Sequence, residues 1–326
     1  MDISLFKQLH REGLISGPSL NKIKSLNRNT GFSLHWELRI ILYLGVILLS
    51  GGLGILIYKN IDTIGHQAIL GTIAAICLSC FCYCGRFSPG FTYLRSASVN
   101  SIFDYILLLG CLSLLSFIGY LQFQYSVFGD RYGLATFIPM LCLFFFAYFF
   151  DHLGVLSMGI VNLATWAGIA ATPTHILTDN DFSNERLIFT GLALGFFLLC
   201  LGYVTKQKKL KAHFEFTYTN FGTHLIFISC LAGMFHFDSG YLVWLALLTC
   251  IAIFYYRKAL RESAFYFILL LTLYGFVGLS YVIMKLIFDV ANMDITGAYL
   301  SCVYFITAAA GMIIFLIKTN RKFKKL

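Results

Sequence analysis

The densest set of reactive side chains is CLSCFCYC at residues 77–84, four thiols in eight positions. A zinc or redox centre is the chemistry such thiols bring to mind. At helical spacing, however, Cys77, Cys80 and Cys84 share one face while Cys82 points elsewhere. A tetrahedral four-thiolate site needs all four sulfurs within about 2.3 Å of one ion, which one straight helix cannot supply. Six more cysteines are scattered along the chain, which uses Cys as a small apolar residue. The stretch therefore reads as helix packing, with no metal and no cofactor implied. H-E-x-x-H, G-x-S-x-G and G-x-x-x-x-G-K-[ST] are all missing from the sequence, so none of the enzyme chemistries they carry is expected, and the chain is not read as an enzyme.

The better pointers are ionisable or polar side chains set in or beside long apolar runs, because charge is costly in hydrocarbon. Asp62 and His66 follow the first run, and Asp151-His152 interrupts another. His224 stands near the start of a run, and His236 and Asp238 stand at a run end. Asn162 is the deepest polar side chain and calls for an interhelical hydrogen bond. Lys285 is flanked by Ile283, Met284, Leu286 and Ile287, with Asp289 one helical turn away as its nearest acidic neighbour in sequence. Two chemistries fit these positions. The groups can sit at interfaces, solvated or snorkelling, or they can line a path for a small solute or ion. In the second case Lys285 pairs with Asp289.

The elements that position them follow from composition. Hydrophobic residues make up 59% of the 326 and charged residues 12%, against about 25% charged in an average soluble domain. Mean hydropathy is +0.79. So apolar a surface needs lipid around it. A bilayer core of about 30 Å takes roughly 20 apolar residues as helix, and ten runs suit that length: 39–58, 67–84, 104–121, 134–150, 154–171, 187–204, 221–237, 241–256, 264–287 and 299–317. The fold class is all-α, a polytopic bundle of about ten spans. Asp151-His152, followed by Gly154 in a tight turn, divides 134–171 into two helices. The first run follows a mostly polar stretch and is expected to act as an uncleaved anchor.

A net charge of +9 does not indicate nucleic acid here, because the cations cluster between runs, in KQKKLK (206–211), RKALR (257–261) and the tail 318–326. With the N-terminus inside, only Lys59, Arg131, Arg186 and Lys285 of the 24 lysines and arginines fall outside. That is the positive-inside pattern, and it puts both termini in the cytoplasm. Outer loops are short, the longest being 172–186.

Residues 1–35 carry the one sizeable polar segment. Leu5, Phe6 and Leu9 lie on one face of a short helix and Leu20, Ile23 and Leu26 on one face of another, with GLISGPS between them as a turn. So small a hairpin needs a surface to lean on. The order EGLIS, second helix, then ELRIILYLGVILLSGGLGILIYKNIDTIGH resembles, over residues 5–85, a family of predicted bacterial membrane proteins catalogued as domain of unknown function 2157. The resemblance implies a hairpin, a glycine-rich first span and many further spans in the inner (cytoplasmic) membrane. It implies no reaction.

Two functions fit this reading. One is a non-catalytic membrane module that works through partners, with membrane lipids around it and a protein or a second copy engaged by the hairpin. The other is a secondary transporter built as a 5+5 inverted repeat. Gly51, Gly52 and Gly54 in the first span and Gly191 and Gly195 in the sixth mark close helix packing on the first reading and helix breaks on the second.

Overall fold

The computed structural model describes residues 65–88, 90–93, 95, 100–171, 184–262, 265–290 and 295–323, with 10, 12, 14–19, 41, 44, 48, 52 and 55 before them. Two compact units result, Met1–Ile69 and Leu70–Leu326. In the first unit residues 17–19 are helical, and the Ser16 hydroxyl accepts from the Ser19 N–H at 3.4 Å. Positions 41, 44, 48, 52 and 55 are helical and exposed. The rest of the expected hairpin and first span lies outside the described residues, as do Asp62, Gly51, Gly54, most of the 172–186 loop and the last three residues of the tail.

The helices are α1 (His66–Phe87), α2 (Ser101–Tyr125), α3 (Tyr132–Phe150), α4 (Leu153–Ala171), α5 (Glu185–Gln207), α6 (Phe214–His236), α7 (Tyr241–Glu262), α8 (Phe265–Lys285) and α9 (Ile295–Phe323), with a π-helical turn, Leu286–Val290, closing α8. There is no strand among the described residues. Caps mark the ends. Asn100 accepts from Phe103 N–H at 2.7 Å to start α2, and Asn184 accepts from Arg186 N–H at 2.9 Å to start α5. Among the described residues eight helices, all but α6, are long and apolar enough to cross a membrane.

α6 fails the apolar test for a reason. At 23 residues it is about 34 Å long, but it carries Thr217, Thr219, Asn220, Thr223 and His224 in its first half. It packs against α4, α5, α7 and α8, so the three threonines face protein rather than lipid. Thr217, Thr219 and Thr223 are buried. The helix therefore starts at Phe214, seven residues before the apolar run expected at 221. Similarly, α7 runs on to Glu262 and α9 to Phe323, past the run ends at 256 and 317. Backbone hydrogen bonding continues where side chains turn polar.

α5 and α6 approach each other backbone to backbone. A Cβ on Gly195 would meet Ile226 Cγ1 at 2.5 Å and the Gly222 carbonyl oxygen at 3.0 Å. One on Gly222 would meet the Gly195 carbonyl oxygen at 2.8 Å, and one on Gly191 would meet Ser229 Oγ at 2.6 Å. α5 runs unbroken through both of its glycines, so Gly191 and Gly195 serve close approach and not a helix break.

Two helices cover 132–171, and the turn between them is a Schellman end. Asp151 takes the left-handed conformation (φ 56), and His152 N–H reaches the Ala147 carbonyl at 3.1 Å. Gly154, expected in the turn, is the second residue of α4 instead. The thiols of 77–84 also pack: Cys77 Sγ donates to the Gly110 carbonyl at 3.7 Å, and Cys84 lies in a core with Phe103 and Leu107.

Gly195→Val should lower stability by about 1–3 kcal/mol through overpacking, read as a lower midpoint in thermal unfolding in detergent. Gly275→Ala, where a Cβ meets nothing within 4 Å, should leave the midpoint unchanged or slightly raised.

Candidate functional site

Three segments meet at one end of the bundle: residues 90–93 ahead of α2, the α3–α4 turn, and the 208–213 connection between α5 and α6. Lys209 and Lys211 both adopt positive φ (53 and 52), which lets the short connection double back. It returns with Lys211 fully buried (0% side-chain exposure) and its Nζ 3.2 Å from Asp151 Oδ1, itself 3% exposed. His213 Nε2 lies 2.8 Å from the same oxygen. Neither contact at Oδ1 has hydrogen-bond geometry, so the Lys211 contact is an ion pair. Lys211 also donates to Thr92 Oγ1 at 3.4 Å, lies 5.6 Å from the Phe91 ring centre and bonds through its backbone N–H to the Tyr93 carbonyl. Tyr148 and Tyr218 share a hydrogen bond at 3.1 Å, and Phe214 packs edge-on to Tyr148.

Asp151 explains its own backbone. An L-residue in the left-handed region costs roughly 1–2 kcal/mol, less for Asp and Asn, and glycine is the usual occupant. Glycine brings no carboxylate. Without one, Lys211 is an uncompensated charge out of water. The pair joins α3–α4 to α5–α6.

His152 sits beside this pair with a different task. Its Nδ1 accepts from Val155 N–H at 3.2 Å, capping α4, and Nε2 faces Asp104 Oδ1 at 3.9 Å. Burial pushes the His152 pKa below 6.5, against the opposing pull of Asp104 and Asp151. The cap requires the neutral ring, since a protonated Nδ1 cannot accept.

The other polar positions lie apart. Asn162 Nδ2 donates to the Thr136 carbonyl at 3.1 Å, stitching α4 to α3. His224 on α6 is held between Tyr274 (2.8 Å) and Tyr266 (3.1 Å) of α8, and Tyr266 donates to Asn220 Oδ1 at 2.7 Å. Lys285 lies 4.0 Å from Asp289, the pairing their spacing leads one to expect, and has a closer partner as well. It bonds the carboxylate and the carbonyl of Asp238 at 3.0 Å each, over the Tyr241 ring. His66 is the half-buried first residue of α1. Among the described residues no group of three His, Cys, Asp or Glu is placed to hold a metal. Lys211 and His213 escape a reading of the sequence, because a lysine among KQKKLK counts there as one more loop cation. The one available hint is that Asp151, on an apolar border, needs a cation.

Residues 7–156 match the model of a family described as predicted membrane protein (DUF2157), the family that the N-terminal residues resemble. The match runs well past residue 85 and takes in Asp151 and His152, but ends before Lys211 and His213. No curated protein and no solved structure matches the chain.

Asp151→Asn keeps the backbone preference and removes the charge. It should cost about 3–5 kcal/mol by stranding Lys211, and Lys211→Met in the same chain should restore most of that loss. A double-mutant cycle on thermal midpoints in detergent measures the coupling; additive losses refute it.

The His152 sign follows from linkage. The unfolded state takes up the proton more readily, so stability is present above pH 6.5 and falls as pH drops through the lowered folded value. Thermal midpoints taken from pH 7.5 down to 5 should decline, with a shallower slope in His152→Gln.

Proposed function

We propose that this polytopic membrane protein is a non-catalytic module of the bacterial inner membrane that acts through contacts with partner proteins. Both termini are cytoplasmic in this reading, and the end carrying Asp151 and Lys211 faces the cytoplasm with them. The observation that carries it is how the ionisable groups of the bundle are used. Asp151, His224 and Lys285 are each engaged by side chains of the same chain, so they serve cohesion. α9 is the outward surface that this reading assigns to partners. Only 6% of the α9 window is buried, against 22–33% in the other seven apolar helices.

Transport by a 5+5 inverted repeat is the competing reading. It asks for a discontinuous sixth span and for Lys285 over a polar cavity. α5 is continuous, and Lys285 is fastened to the α6–α7 corner by Asp238, whose side chain is largely exposed.

Proteoliposomes containing the full chain should show no flux of protons, alkali cations or small solutes above empty vesicles. Lys285→Met should leave the thermal midpoint within a few degrees of the parent. Flux that Lys285→Met or His224→Gln abolishes in a protein that still folds overturns the module reading.

A further inference from the structure

The polar network on α6 borders a cavity that the module reading leaves unused. About 530 Å³ in volume, it lies between α4, α5 and α6, with Ile160, Ala164, Leu198, Asn220, His224 and Ile228 in its wall. A second cavity of about 390 Å³ adjoins it through the shared residues Ala164, Thr165 and Leu225, and extends to Gly168 and Gly191. Val161 and Ile228, both more than half exposed, stand at the mouth of the first, so it opens towards the surrounding lipid. The two cavities make one apolar track along α4.

The hydrogen bonds fix what the polar end of this track can recognise. Tyr266 donates to Asn220 Oδ1, so the Tyr266 oxygen is left to accept from His224 Nε2–H, and His224 Nδ1 accepts from Tyr274. Both ring nitrogens are occupied. Thr165 spends its hydroxyl proton on the Val161 carbonyl. The Asn220 amide is different: its oxygen is engaged, and its NH2 has no acceptor among the described residues. A bare donor at the head of an apolar track selects an acceptor that carries a hydrocarbon chain. Asn220 is six residues into α6, about 9 Å from its start, which is below the interface and within reach of a lipid carbonyl.

We infer that the α4–α5–α6 track is a binding site for one acyl chain of a membrane lipid, with its ester or acid carbonyl on the Asn220 amide and its chain running past Ala164 and Leu225 towards Gly168. The site is independent of any protein partner. Small residues open the track where larger ones would close it.

The test uses the full chain in nanodiscs of phosphatidylethanolamine and phosphatidylglycerol, doped in separate arms with a diazirine-acyl phosphatidylethanolamine or a diazirine fatty acid. After photolysis, mass spectrometry maps the adducts. Adducts should concentrate on peptides covering 160–169 and 220–228. They should fall at least fivefold in Ala164→Trp, which fills the track, and at least threefold in Asn220→Leu, which keeps the fold apolar while removing the donor. Labelling of α9 around 303–317, where lipid is merely solvent, should not change. The arm with the stronger site-specific yield tells a phospholipid chain from a free acid. Equal labelling of α4, α6 and α9, or labelling of the track unmoved by both variants, overturns the inference. So does a cross-link from the track to another polypeptide.

Discussion

Most of the architecture hangs on how closely α5 and α6 approach. In lipid no hydrophobic force draws helices together, and association depends on packing and on hydrogen bonds between them. Gly195 and Gly222 bring two backbones so near that a methyl group on either would strike the other's carbonyl. α5 ends at Gln207 and α6 starts at Phe214, so the short connection between two closely packed helices has to reverse sharply. Lys209 and Lys211 bend into the left-handed region to do it, which turns Lys211 inward under the α3–α4 turn instead of outward into water.

The remaining interior polarity answers to the same lack of water. A polar side chain held away from solvent has to find its partner within the protein, and α6 collects such groups because other helices surround it. His224 reaches two tyrosines of α8, Tyr218 reaches Tyr148 of α3, and Asn162 reaches a carbonyl of α3 that has a second lone pair to offer. Each of these ties a helix to one that is not its neighbour in the chain or holds a hairpin shut. The periphery shows the opposite arrangement. α9 carries little but apolar residues through its membrane window, and among the described residues its main contacts are with α8 and the π-helical turn.

How much of this can be read from the residues depends on how local each feature is. The spans, the break at Asp151-His152 and the shared face of Cys77, Cys80 and Cys84 are set by neighbours within a few positions, and a one-dimensional pattern carries them. The start of α6 is hidden because an apolar run ends where polar residues begin, whereas a helix enclosed by other helices does not. Gly154 draws attention to itself as a turn residue, yet the turn takes an aspartate, for a reason that lies in a different loop. The spacing along its own helix points Lys285 to Asp289, 4.0 Å away, but not to its closer partner, Asp238, which stands across a corner at 3.0 Å. Lys211 is invisible for the same cause: nothing within ten residues distinguishes it from the lysines around it.

The bond between Asp151 and Lys211 also imposes a timetable on biosynthesis. About 60 residues separate the two, so at roughly 5–20 residues per second the ribosome makes the carboxylate about 3–12 s before the ammonium. During that interval the α3–α4 hairpin exists with an ionised turn and no counter-charge. The turn has to wait in the aqueous layer at the membrane face, since drawing it inward alone carries the full penalty of a lone buried ion. Only after α5 and α6 have come together does the lysine arrive to cover it. The last step in closing this end of the bundle is therefore the docking of one finished hairpin on another, and the charge that was written first is the one that is sealed last.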